Sequence, residues 1–225
     1  MIRLVLFDID GTLIHTSGAG IKSFGRAFEM EFGLANAAEG VQFAGRTDTG
    51  IVRQIFIRHG LEPSPENFRR FFDTYIFWLD HLLQELPGGV FSGVPEFISQ
   101  LQYLAYAPTL GLLTGNIRLG AEIKLRRFDL WDLFVVGAFA DDHEDRNQIS
   151  AIAQKRCGRF MGRDLCGDEI LVIGDTPRDI ECGRAIGAKV LAVATGLSSV
   201  ADLKKFAPDW AVENLSQICP DEICR

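Results

Sequence analysis

Four apolar runs in this 225-residue chain each end on polar residues able to do chemistry. Leu4-Val5-Leu6-Phe7 runs into Asp8, with Asp10 two positions on, and Leu110 to Leu113 runs into Thr114-Gly115-Asn116. Ile170 to Ile173 runs into Gly174-Asp175, with Asp179 a little further along, and Lys189 to Ala194 runs into Thr195-Gly196. Several carboxylates brought together would repel and raise one another's pKa. A divalent cation removes that penalty, and an all-oxygen ligand set with retained water suits Mg²⁺. Such a metal in turn favours a phosphate.

For these groups to meet, the runs that carry them must be neighbours. Unbroken aliphatic and β-branched runs of this length are what strands covered on both faces look like. Phe134 to Ala140 reads as a fifth strand and Trp210-Ala211-Val212 as a sixth. Helical spacing lies between them, in Val94 to Tyr103, Asn147 to Cys157 and Pro177 to Ile186, the last with a first-turn proline and Gly187 as its stop. Alternating strand and helix predicts an α/β fold, a doubly wound parallel sheet with helices on both faces. Ligands of such sheets bind beyond the carboxyl ends of the strands, whose tails lie only about 5 Å apart.

One region breaks the alternation. Residues 16–87 show helical pattern only, in Ser17 to Phe32, Asp48 to His59 and Pro65 to Leu86, before Pro87-Gly88-Gly89 marks the return. The economical description is an all-helical insertion (16–87) in an α/β core made of 1–15 and 88–225. The aromatic stretch from Phe68 to Trp78 reads as the packed interior of that insertion, with surplus apolar surface for a substrate or a second copy.

Composition narrows the partners. Lys and Arg number 23 against 30 Asp and Glu, with no basic run, which excludes a nucleic-acid or anionic-membrane surface. No apolar stretch approaches the roughly 18 residues a membrane helix needs. Arg3, Asp8 and Asp10 so near the N-terminus are unlike a signal peptide. Five cysteines without a CxxC pair fit reduced thiols in a cytoplasmic protein.

FDIDGTL (Phe7 to Leu13), LLTGN (Leu112 to Asn116) and IGDTPRD (Ile173 to Asp179) resemble the first, second and fourth motifs of the haloacid dehalogenase-like hydrolase superfamily, phosphoglycolate-phosphatase-like branch. The resemblance extends over nearly the whole chain and implies a Rossmann-like core with a helical cap. It also implies Mg²⁺-dependent hydrolysis of a small phosphorylated metabolite through an aspartyl-phosphate. On that resemblance Asp8 is the nucleophile and Asp10 the general acid/base. Gly11 would re-aim Asp10 at the turn. Thr114 would bind phosphate with backbone N–H groups of Gly115 and Asn116 at a helix start. Asp8, the Asp10 carbonyl and Asp175 would hold Mg²⁺, with Asp179 a further ligand or a partner behind them. The family's third motif is a basic residue, usually Lys before Pro, and no such pair occurs here. Arg146 and Lys155 are its two candidates, and Arg can neutralise phosphate bidentately.

Blander readings stand beside these. A lone strand-ending Asp is commonly an N-cap or turn former, and Asp179 suits a first helical turn in any case. Asp141, Asp142, Glu144 and Asp145 read as a solvated acidic loop, part of which could hold Arg146. Gly45-Arg46-Thr47-Asp48 is either a connection or a substrate-selecting loop through Arg46. A sugar-phosphate mutase of the same superfamily is the nearest alternative, but such mutases resemble one another in a His where this chain has Gly20. Asp10 speaks against the dehalogenating and phosphonate-cleaving relatives. A phospho-accepting signalling domain or a non-catalytic binding protein is the alternative from another class. A monomer is expected over a homodimer, because the cap supplies the lid a partner subunit might otherwise provide.

Overall fold

Six strands form one sheet in the order β5-β4-β1-β6-β7-β8, every neighbouring pair parallel. They are β1 (Leu4–Phe7), β4 (Thr109–Leu113), β5 (Val136–Ala138), β6 (Ile170–Gly174), β7 (Lys189–Val193) and β8 (Trp210–Val212). A further pair, β2 (Ile14–His15) and β3 (Gly89–Val90), is antiparallel. The structure, a computed structural model, describes residues 1–224. The fifth strand is shorter than the run from Phe134 to Ala140, because Phe134 closes a 3₁₀ turn and Phe139 folds back beneath Gly137.

Alternation along β1 shows why the sheet is covered twice. Val5 and Phe7 pack with α4 (Val94–Gln102), α5 (Arg118–Arg126) and α9 (Pro220–Ile223). Leu4 and Leu6 point the other way, onto α6 (Arg146–Met161), α7 (Pro177–Ala185) and α8 (Val200–Lys204). With both faces buried, neither can be polar. The fold is therefore the α/β doubly wound class. The chain winds outward from β1 through β4 to β5, then returns to β6 on the other side. That reversal puts the crevice of an open sheet at the carboxyl end of β1, and pairing of Phe7 with both Leu112 and Ile173 brings the ends of β4 and β6 level with it.

Between β2 and β3 lie α1 (Ala19–Phe32), α2 (Asp48–Arg58) and α3 (Pro65–Glu85). Ser64 caps α3 with Pro65 at its first position, Thr47 caps α2, and Gly33 ends α1 at φ +66°. Their shared interior is aromatic: Phe28 meets Phe71 at 4.5 Å between ring centroids and Phe24 meets Tyr75 at 4.8 Å. Phe71, Tyr75, Leu79 and Leu83 are buried on one face of α3, while Phe77 is exposed on the other. Truncating Phe71 to Ala there would cost about 3–5 kcal/mol. Ile117 of the core is buried in the same cluster, so the insertion is seated on the sheet. Among the described residues no helix is long and apolar enough to cross a membrane.

Candidate active site

Asp8 follows β1 directly, its N–H donating to the Ile173 carbonyl at 2.9 Å, and its side chain is buried. Thr114 follows β4 on one side and Asp175 follows β6 on the other, so strand order alone delivers three polar tips to one place. Oxygens of Asp8, Asp175 and Asp179 all lie within 4.8 Å of one another. Burial pushes the Asp8 carboxyl up to about 7, against the pull of Arg146, with Asp179 adding to the rise. Burial likewise pushes Asp175 up to about 8, with Asp179 and Asp8 adding their repulsion. Thr12 Oγ1 donates to Asp175 Oδ1 at 3.0 Å.

Arg146 reaches this group from the first turn of α6, where Asp145 caps the helix by accepting from the Asn147 N–H at 2.9 Å. Its Nη2 donates to Asp179 Oδ1 and lies 3.7 Å from Asp8 Oδ2. Burial disfavours its charge, but Asp179 and Asp8 outweigh that and hold the guanidinium protonated. The Cys182 sulfur lies beside the guanidinium, while Nε, buried, has no partner of good hydrogen-bond geometry among the described residues. Lys155, the other sequence candidate, is exposed further along α6. Asp179 is occupied on both sides, since Oδ2 accepts from the Thr176 N–H at 3.0 Å and from Thr176 Oγ1 at 2.7 Å.

Asp10 is turned toward Asn116 and Lys124. Gly11, at φ +82°, makes that turn, and a side chain there would be driven into the Asp175 carboxylate. Asp10 Oδ2 accepts from Asn116 Nδ2 at 2.8 Å and from Lys124 Nζ at 2.7 Å. Lys124 also donates to Asn116 Oδ1 at 2.6 Å, and Asn116 Nδ2 donates to Thr114 Oγ1 at 2.9 Å. Lys124 is only 4% exposed and Asn116 is buried with it, while the Asp10 side chain is partly open to the cavity.

The expected phosphate cradle at a helix start is different from the sequence expectation. Helix α5 begins at Arg118, and its first donors are already taken: Ile117 N–H by Asp48 Oδ2 at 2.9 Å and Arg118 N–H by Asp141. Asn116 N–H donates to Thr114 Oγ1 at 3.3 Å. Gly115 lies so close beneath the insertion that a Cβ would enter the Arg46 carbonyl, and its own carbonyl accepts from Asp48 N–H at 2.7 Å. The acidic loop is likewise structured, not simply solvated. Asp142 pairs with Arg156 at 2.7 Å, Glu144 with Arg53 of the insertion at 2.7 Å, and it is Asp179 that holds Arg146.

Asp48 is a buried acid supplied by the insertion, pushed up to about 7 by burial, against the nearby Lys124. Arg46 donates from Nη1 to the Gln42 carbonyl at 3.3 Å and to Gln54 Oε1 at 2.5 Å, both within the insertion. A cavity of about 400 Å³ opens between the two parts. Its floor is Asp8, Asp10, Thr114 and Asp175, and its opposite wall is Ile21, Phe24, Phe43, Ile51 and Tyr75.

Lys124 and Asp48 were not singled out by the sequence. Lys124 has a signal: with Ile117, Ala121 and Leu125 it occupies the buried face of α5, and a lysine in an apolar stripe needs an internal anion. Asp48 has none, since an acid after a threonine cap is ordinary.

The family model described as haloacid dehalogenase-like hydrolase matches residues 5–193, from β1 through β7. This chain is a haloacid dehalogenase-like hydrolase. Within that family it is similar to pyrophosphatase PpaX of Bacillus cereus, 28% identical over 220 residues that cover 97% of this chain and 95% of the relative. PpaX of Bacillus mycoides is also 28% identical over 97% of this chain and 96% of its own length. The fold is that of a predicted phosphoglycolate phosphatase from Haemophilus somnus, with TM-score 0.73 and 19% identity over 96% of each chain. It is also that of CbbY from Rhodobacter sphaeroides, solved with phosphate, with TM-score 0.73 and 16% identity over 96% of each chain.

Proposed function

We propose that this hydrolase is an Mg²⁺-dependent phosphatase that cleaves a small phosphorylated metabolite through an aspartyl-phosphate on Asp8. The observation that carries the reading is one buried carboxylate at the central strand tip, flanked by a hydroxyl (Thr114), a guanidinium (Arg146) and a second acid (Asp175). A cation fits the donor set. Three buried carboxylates face one guanidinium, so a divalent ion would leave the group neutral and offset the burial and mutual repulsion that raise the Asp8 and Asp175 carboxyls. Asp8, Asp175 and the Asp10 carbonyl would hold it, with Asp179 as a further ligand or as the anchor of Arg146. When bound, Mg²⁺ supplies neutralisation of charge on the phosphoryl oxygens.

Asp8, ionised, attacks phosphorus and the bond from phosphorus to the leaving oxygen breaks. Asp10 gives its proton to that oxygen. Thr114 and Arg146 donate to the non-bridging oxygens, where charge is densest, and the Gly115 and Asn116 backbone borders the same position. Asp10, now a carboxylate, takes a proton from water. The water oxygen bonds to phosphorus as the bond to Asp8 breaks, which frees inorganic phosphate and restores both acids. The insertion acts as a cap that keeps other water out between the two steps. The place of work is the cytoplasm and the working unit a monomer.

Phosphate release from p-nitrophenyl phosphate, measured with Mg²⁺ and with EDTA, tests the proposal. Activity should require the metal. Asp8→Asn should lose on the order of 10⁴-fold or more while keeping a cooperative thermal melt, and activity surviving that change would remove the nucleophile.

A further inference from the structure

Resting on the phosphatase reading, we infer that the cavity selects a phosphomonoester whose leaving alcohol is uncharged and carries an aromatic or similarly apolar body. A substrate has two ends, and the floor accounts for the phosphate end. At the other end, the wall contributed by the insertion is Ile21, Phe24, Phe43 and Ile51, with the buried Tyr75 ring behind them. A carboxylate or second phosphate on the leaving group would need a cation there. Each lysine and arginine bordering the cavity already has hydrogen-bond partners in the protein. Arg146 is held by Asp179 and stands against Asp8. Lys124 is held by Asp10 and Asn116, and Arg46 by Gln42 and Gln54 inside the insertion. His15 is exposed on β2 with its ring 5.4 Å from that of Phe91. Asp48, meanwhile, adds a carboxyl to the same border.

A leaving group bearing an anion would thus give up its water for an apolar wall and a carboxyl, which is unfavourable without a compensating charge. An aromatic body loses nothing polar and buries apolar surface. Space agrees, since about 400 Å³ exceeds what a two-carbon acid attached to phosphate would fill. Gly20, which borders the cavity, leaves further room: a Cβ there would stand 3.6 Å from Lys124 Nζ.

The test compares kcat/KM of the Mg²⁺-loaded enzyme for benzyl phosphate, phosphoglycolate and inorganic pyrophosphate. Benzyl alcohol and glycolate are comparably poor leaving groups and phosphate is a better one, so a preference for benzyl phosphate reports on the pocket. Benzyl phosphate should lead by roughly tenfold or more. Ile21→Arg places a cation on the wall at a position already 49% exposed, where the fold tolerates it. That variant should raise kcat/KM for phosphoglycolate by about tenfold and narrow the gap. In the Asp8→Asn chain, benzyl phosphate should also raise the melting temperature more than phosphoglycolate does. Activity on p-nitrophenyl phosphate with phosphoglycolate or pyrophosphate ahead of benzyl phosphate would overturn this inference and leave the phosphatase standing. Inactivity on all four would overturn both.

Discussion

Asp8, Thr114, Arg146 and Asp175 come from four separate segments of the core and meet around one carboxylate, each placed by a strand end or the first turn of a helix. Across the cavity, Ile21, Phe24, Phe43 and Ile51 come from two helices and the loop between them, and what they share is only an apolar surface. The floor is fixed by backbone register, and a change there alters the chemistry. The wall is fixed by side-chain packing of the insertion, and a change there alters what fits. One fold can therefore keep a reaction while exchanging its substrate.

Experiments can press on each side of that division. On the floor, Arg146→Met should lower kcat on the order of 10³-fold and, by leaving Asp179 and Asp8 unpaired, cost about 3–5 kcal/mol in a denaturant titration without metal. Arg146→Lys should keep part of the activity, and Lys155→Ala should change neither quantity, because Lys155 is exposed. Where floor meets wall, Lys124→Met frees the Asp10 carboxylate from its buried anchor. We expect kcat to fall about 10–100-fold with KM nearly unchanged, and an equal rise in KM would make Lys124 a substrate ligand instead of a positioning residue.

Proton linkage gives a third probe. Asp8 and Asp175 are raised to about 7 and about 8. Without a cation the folded chain therefore binds more protons than the unfolded chain between its two sets of pKa values, and stability falls as pH rises through that window. In EDTA the melting temperature should drop by roughly 5 °C or more between about pH 6 and about pH 8. Mg²⁺ should raise it more at the higher pH, where the carboxylates are ready to ionise. Equal Mg²⁺ effects at both would separate the metal from these acids. The smallest effect belongs to the wall's own acid. Asp48, raised to about 7, shares in the same linkage. Asp48→Asn can still accept from Ile117 N–H and takes up no proton on folding, so it should flatten part of the fall in stability between about pH 6 and about pH 8, whereas Asp48→Ala also removes the cap and should cost about 1–2 kcal/mol.

Much of the floor was legible in the sequence because its residues end buried strands, and a strand that ends in a polar group writes both facts side by side. The runs before Asp8, Thr114 and Asp175 are β1, β4 and β6. The doubly wound order followed from strand and helix alternating. Helix α5 was harder to see: Arg118, Glu122, Arg126 and Arg127 make it look polar, and only its narrow buried face holds it to the sheet. Two-residue strands such as β2 and β3 have no periodicity to read. The roles of Asp48 and Asp141 as caps of α5 are invisible for another reason. Their partners are backbone N–H groups of residues 69 and 23 positions away in sequence, and a backbone donor has no letter.

The short ribbon of β2 and β3 ties the two chain crossings between core and insertion to each other. Ile14 pairs with Val90, His15 with Gly89, and the Phe91 N–H donates to the Leu13 carbonyl at 3.0 Å, so both chain crossings are zipped together. Two independent tethers would constrain the insertion less than one fused strip does. Away from the ribbon, further bonds join the insertion to the core. There Asp48 holds Gly115 and Ile117, and Thr49 Oγ1 donates to the Ala140 carbonyl at 3.2 Å. Held by the ribbon on one side and by these bonds on the other, a wall that touches none of the reacting bonds is kept in register with the floor.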